Sequence, residues 1–186
     1  MRARALRTDT ERRNSMYSDS KKFDDEYIRY VLQTYSDMLI RLCLTYVKNR
    51  HDAEDMAEDT FCELVRHRPV FESSEHEKAW LIRCAVNKCK NYLRSARVRL
   101  TDSIEDLQTE IAAPEESDSG GTVTAAVLSL PEKYRTIIHL FYYEEYSINE
   151  IAKILSMSPS TVGTRLDRGR QMLKKKIQQA GGELDV

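Results

Sequence analysis

The sequence predicts an all-α protein of two small helical domains joined by an acidic flexible linker, the C-terminal one a helix-turn-helix. Three observations carry this. Apolar residues recur at steps of three and four along nearly all of the chain, and no segment makes a convincing strand. Only six Gly and four Pro interrupt the 186 residues. A stretch with seven acids and no Lys or Arg, over 101–122, divides the periodic pattern into two unequal parts.

Residues 1–22 carry seven basic and three acidic side chains without periodicity, so a flexible leader is expected, with Met16 an alternative start. A first domain is expected over 23–100. Its first helix carries the stripe Ile28, Val31, Tyr35, Met38, Leu42 and Tyr46 and ends near Asn49. The second has the most regular apolar face, made by Ala53, Met56, Ala57, Thr60, Phe61, Leu64 and Val65, with Asp52 the expected N-cap. Glu54, Asp55, Glu58 and Asp59 crowd its first turns while Arg66, His67 and Arg68 close its last, the polarity that the helix dipole favours, and Pro69 stops it. After the loop FESSEHEK, a third helix is expected from near Lys78 to about Arg97. Its apolar stripe of Ile82, Val86, Cys89, Leu93 and Ala96 runs beside a polar one of Arg83, Asn87, Lys90, Asn91, Arg94 and Arg97. Cations and amides on one face suit a phosphate backbone, and Phe71 and Trp80 are placed to stack on or wedge against unpaired bases. A solvated face with Trp80 in the core explains the same pattern equally well.

The linker over 101–122 has no aromatic residue and contains Pro114, Gly120 and Gly121. Fully extended, it spans roughly 75 Å, so the flanking domains need not touch. A second domain is expected over 123–180, with a tail over 181–186. Tyr134, Ile137, Ile138 and Phe141 mark its first helix, with Pro131 in the first turn. Ser147 with Glu150 has the spacing of a capping box, ahead of Ile148, Ile151, Ala152 and Leu155. Ser156 and Met157 make a turn, Ser158 caps the next helix, Pro159 opens it, and Val162, Leu166 and Leu173 face inward. The second helix offers Ser160, Thr161, Gly163, Thr164, Arg165, Asp167, Arg168 and Arg170, and then Lys174 to Lys176, to a DNA groove and its phosphates.

Other classes are excluded by composition. The net charge of −1 rules out a uniformly basic nucleic-acid coat. No run nears the ~18 apolar residues of a membrane helix, and no apolar segment follows the basic start, so a cytoplasmic protein without membrane insertion is expected. Cys43, Cys62, Cys84 and Cys89 lack metal-ligand or redox spacing and read as reduced core thiols. Asp52, Glu54, Asp55, Glu58 and Asp59 form a polar helix face with no histidine at a ligand spacing, either solvated or docked on a partner, and no catalytic or cofactor motif is present. No enzyme activity, cofactor or metal is expected.

Three blocks in order resemble the alternative sigma factors of bacterial RNA polymerase, of the small extracytoplasmic-function type. DAEDMAEDTF (Asp52 to Phe61) is similar to the family's core-polymerase-binding helix. AWLIRCAVNKCKNYLR (Ala79 to Arg94) is similar to its helix for recognising and melting the downstream, −10, element. The segment from Leu130 to Leu173 is similar to its domain for the upstream, −35, element. The resemblance implies core RNA polymerase and promoter DNA as partners, with an anti-sigma protein as a further one. It implies polymerase binding by Asp52, Glu54, Asp55, Glu58, Asp59 and Phe61, and a flipped base held by the loop from Phe71 to Lys78 with Asn87. The linker would lie in the polymerase's RNA path. Departures are Glu58 for a frequent glutamine, Asn91 for a common aspartate, and Gly163 and Asp167 where larger or basic readers are usual. The rival readings are a helix-turn-helix regulator that is not a sigma factor, and an enzyme built on the carboxylates or the Cys and His residues.

Overall fold

The computed structural model describes residues 25–101 and 121–179. Among them there are seven helices: α1 (Asp25–Val47), α2 (Arg50–His67), α3 (Ser74–Thr101), α4 (Gly121–Leu128), α5 (Glu132–Tyr142), α6 (Ile148–Leu155) and α7 (Pro159–Gln179). The expected leader, nearly all of the expected linker and the tail lie outside the described residues.

Helices α1, α2 and α3 pack on one another as a first module. Val31, Leu39 and Leu42 of α1 meet Ala53, Ala57 and Leu64 of α2 and Leu81, Ile82 and Ala85 of α3 in a core from which water is almost wholly excluded. Each large side chain buried there contributes roughly 1.5–3 kcal/mol relative to exposure. Close beneath them the Cys43 and Cys89 thiols are buried together, and the neighbouring Cys89 and then burial push the Cys43 thiol up, which leaves it unreactive. Cys62, expected in the core, is exposed, because it falls one position off the stripe that buries Phe61.

Local chemistry sets the helix ends. The N-cap of α2 is Asn49 rather than Asp52: its side chain accepts the Asp52 backbone N–H at 3.3 Å, so Asp52 sits in the first turn. Helix α3 starts earlier than expected, because Ser73 Oγ accepts the His76 backbone N–H at 3.2 Å and draws the SEHEK segment into the first turns. Lys48, Arg68 and Ser156 at the ends of helices, and Glu145 in the turn between α5 and α6, adopt positive φ, a conformation that a non-glycine residue adopts at a cost of about 1 kcal/mol.

In the second module α5 and α6 both pack on α7, and α4, a helix the periodicity did not separate from the linker, packs on α7 as well. Gly169 is what lets α7 approach α5. A Cβ there would lie 3.2 Å from Ile138 Cγ1 and 3.4 Å from Tyr134 Cβ, whereas one at Gly163 would meet nothing within 4 Å. The two modules touch: α1 rests on α5, with Tyr46 buried against Thr136, and α3 rests on α6.

Candidate nucleic-acid interface

Two exposed polar stripes share one helical spacing. On α7, Ser160, Thr164, Asp167 and Arg168 stand at successive steps of four, three and one, all exposed. On α3, Arg83, Asn87, Lys90, Asn91 and Arg94 follow steps of four, three, one and three, and are likewise exposed. The side chain of Arg97, the last member expected there, lies outside the described residues.

The α7 stripe is held by its own neighbourhood. Ser147 and Glu150 form the expected capping box of α6: the Glu150 N–H donates to Ser147 Oγ at 3.3 Å and the Ser147 N–H to Glu150 Oε2 at 2.9 Å. The Ser147 hydroxyl also donates to Glu150 Oε2 at 2.6 Å, and this bond and then the one from the Ser147 backbone hold the Glu150 carboxyl below its usual value. Ser156 closes α6 in the left-handed conformation, and the Met157 N–H returns to the Ala152 carbonyl at 2.8 Å. Ser158 Oγ then accepts the Thr161 N–H at 3.2 Å and lies 3.0 Å from the Ser160 hydroxyl and 2.7 Å from that of Thr161. The start of α7 is thereby a capped turn with a cluster of exposed hydroxyls, groups that can reach a DNA backbone.

Not every expected member of the α7 set is free. Thr161, Gly163, Arg165 and Arg170 are half-buried. Arg165 Nη1 rests 3.7 Å from Met157 Sδ. Arg170 donates from Nε to the Tyr142 hydroxyl at 2.8 Å, lies over the Phe141 and Tyr142 rings at 5.0 and 5.5 Å, and pairs with Asp167 at 3.6 Å. It braces α7 on α5, and Tyr142, which makes that brace, carried no signal in the sequence beyond its place after Phe141.

The α3 stripe is set by distant partners. Glu77, in its first turn, has no exposure and accepts hydrogen bonds from the hydroxyls of Tyr27 and Tyr35 on α1, the latter at 3.4 Å. Burial and Glu77 push the Tyr27 phenol up, so it stays a donor. Sequence reasoning missed this carboxylate, because it sat in what was read as a loop before the helix. Phe71 is buried beneath the same turn, edge-on to Trp80 at 5.8 Å and to His76 at 5.6 Å, while Trp80 is half-buried.

Beside this stripe stands the acidic face of α2. Asp55, Glu58 and Asp59 are exposed, Asp52 and Glu54 half-buried, and Phe61 points into the core. Lys88 of α3 ties the two helices, 3.1 Å from Glu63 and 3.9 Å from Asp59, and its hydrogen bond is the first cause holding the Glu63 carboxyl below its usual value. Acids and cations are thus sorted onto adjacent helices of one module. Among the described residues no group of His, Cys, Asp and Glu is assembled to hold a metal ion, and no helix is long and apolar enough to cross a membrane.

Known proteins share both modules. Residues 31–99 match the family model of Sigma-70 region 2, and 121–173 that of Sigma-70, region 4. The ECF RNA polymerase sigma factor SigW of Bacillus subtilis is 32% identical over 174 residues, covering 85% of this chain and 92% of that protein. SigM of the same organism is 29% identical over 150 residues, covering 77% of this chain and 91% of its own length. The sigma factor RpoE of Bartonella quintana, solved in complex with the anti-sigma factor NepR, superposes with a TM-score of 0.68 at 22% identity, over 82% of this chain and 98% of that one.

Proposed function

The chain belongs to the ECF sigma factors of bacterial RNA polymerase, and from that premise we propose how its surfaces divide the work. As a sigma factor it binds core RNA polymerase and directs it to promoter DNA. The protein is an initiation factor acting in the cytoplasm, catalysing no reaction itself.

The acidic face of α2, through Asp52, Glu54, Asp55, Glu58 and Asp59, docks on a basic or polar surface of the polymerase, with Phe61 supporting the face from the core. Asn87, Lys90, Asn91, Arg94 and Arg97, with Arg83, hold the opened strand of the −10 element, and Trp80 supplies the stacking surface, backed by Phe71. Ser160, Thr164, Asp167 and Arg168 enter the major groove of the −35 element, while Thr161, Gly163, Arg165 and Arg170 set the depth and tilt of that helix. The domains run from 23 to 100 and from 123 to 180, and the acidic segment between them occupies the RNA path. An anti-sigma protein is a further partner, as NepR is for RpoE.

The observation that carries this reading is the ordered pair of region 2 and region 4 matches, each contributing one exposed polar stripe of the same spacing. Transcription with purified core polymerase tests it. Specific initiation on genomic template that requires this chain is the expected result. Stimulation only when another sigma factor is added would mark the protein as a regulator instead.

A further inference from the structure

Asp167 is an unexpected residue on a surface that meets DNA. It is the acid in the exposed α7 stripe, with Thr164 one turn before it and Arg168 beside it. Alone among phosphates, a carboxylate there would repel the duplex. A partner offsets that charge without covering it. Arg170 Nη1 lies 3.6 Å from Asp167 Oδ1, and the Asp167 side chain remains 69% exposed, so its second oxygen is left to accept from a ligand.

Arg170 is itself held in place. Its Nε donates to the Tyr142 hydroxyl at 2.8 Å, and its guanidinium lies 5.0 Å from the centre of the Phe141 ring and 5.5 Å from that of Tyr142. A planar guanidinium that is stacked and hydrogen-bonded along one edge has the direction of its remaining N–H groups fixed. The contacts therefore run from the α5 rings through Arg170 to Asp167. The turn before Asp167 is open as well: a Cβ at Gly163, four residues earlier, would meet nothing within 4 Å. Residues four apart are neighbours on a helix surface, so a base edge has room to approach beside the carboxylate.

A carboxylate only accepts hydrogen bonds. In the major groove it is mismatched to guanine, which presents the N7 and O6 acceptors, and to thymine, which presents O4 and a methyl group. Adenine offers its N6 amine but sets the N7 acceptor beside it, whereas cytosine offers its N4 amine with no acceptor next to it on the same ring edge. We infer that Asp167 selects a cytosine in the upstream element by accepting from its N4 amine, and that Arg170, fixed by Tyr142, is the positioning residue that aims the carboxylate and offsets its charge. This role rests on the entry of α7 into the −35 major groove proposed above, and adds the base that is met there.

The test uses holoenzyme assembled from core polymerase and the full chain, and reads base frequencies after selection from a duplex library randomised through the upstream element. The wild-type chain is expected to enrich cytosine on the order of tenfold at one position. Asp167→Ala is expected to flatten that position alone. Asp167→Asn, whose amide matches N6 and N7 of adenine, is expected to move the preference there to adenine. Tyr142→Phe keeps the ring and removes the hydroxyl, and is expected to reduce the cytosine enrichment at the same position with the thermal midpoint unchanged. A merely structural Tyr142 would instead lower the midpoint and relax every position together. An element read identically by the wild type and Asp167→Ala, or an Asp167-dependent position that prefers another base, would overturn the cytosine assignment. An unaltered profile in Tyr142→Phe would overturn the positioning role. If initiation requires the chain but no upstream sequence is selected, the entry of α7 into the groove fails, and the cytosine assignment with it.

Discussion

Helices α3 and α7 carry polar stripes of the same spacing, yet one is positioned by its neighbours in the chain and the other by residues from across the fold. The α7 stripe depends on a capping box, a left-handed serine and a hydroxyl cap, all between Ser147 and Thr161. The α3 stripe depends on Glu77, which accepts from tyrosines of α1, and it is partly covered by α6. The difference teaches that a DNA-reading face built on local signals is ready as soon as its helices form. One built on tertiary contacts forms only after them.

That contrast can be broken or sharpened by substitution. Leu166 is 1% exposed beneath the α7 stripe, and Leu166→Ala is expected to destabilise the second module by about 2–5 kcal/mol in denaturant titrations, since local caps cannot replace its packing. Arg168→Ala, on an exposed side chain, is expected to leave stability unchanged and weaken −35 duplex binding by ~1–3 kcal/mol if it reads a base. A uniform loss on every duplex, with a shallower salt dependence, would assign it to phosphate instead.

Ser147→Ala removes the cap of α6 and is expected to cost about 1 kcal/mol, visible as a lower midpoint by circular dichroism. An unaltered midpoint would contradict local control of the helix-turn-helix. Gly163→Ala is expected to stabilise α7 by up to about 1 kcal/mol, because a methyl group there meets open space. The same change at Gly169 should gain less or lose stability, as Ile138 and Tyr134 must give way.

The smallest effect concerns acid, at the contact between the modules where Glu144 Oε2 lies 2.8 Å from Lys78 Nζ of α3. Burial pushes the Glu144 carboxyl up, but His139 and Lys78 outweigh it and hold the group below its usual value. A depressed carboxylate contributes stability that is complete above the ordinary pKa of ~4.3 and is lost as pH falls through the lower folded value. The radius of gyration should therefore be constant from neutral pH down to about 5 and rise only in more acidic solution, and Glu144→Gln should flatten that rise.

Which parts were legible in the sequence follows from the range of the forces involved. The capping box at Ser147 and Glu150 was readable because both partners lie within one turn, and the stripe of α1 because burial repeats with the helix. Asn49 was passed over for Asp52 as the cap, since both are good caps and only the backbone at Asn49 is extended. Helix α4 was hidden by the acidic segment before it and by its Thr and Val residues, weak helix formers that packing on α7 holds in place.

The candidate site divides in the same way. The residue types of the α3 and α7 stripes and of the α2 acidic face could be named from spacing alone. The brace between Arg170 and Tyr142 and the burial of Phe71 required neighbours to be brought in from other helices.

By itself, then, the sequence determined the helices, their apolar faces, the turn of the helix-turn-helix and the sorting of charge, because each arises within a few residues from periodicity and hydrogen bonding. Tertiary structure alone decided that Glu77 is buried, that Gly169 is a point of contact while Gly163 is open, and that Glu144 closes on Lys78. A buried charge or a close approach is defined by what surrounds it, and those surroundings come from remote segments that only packing brings together.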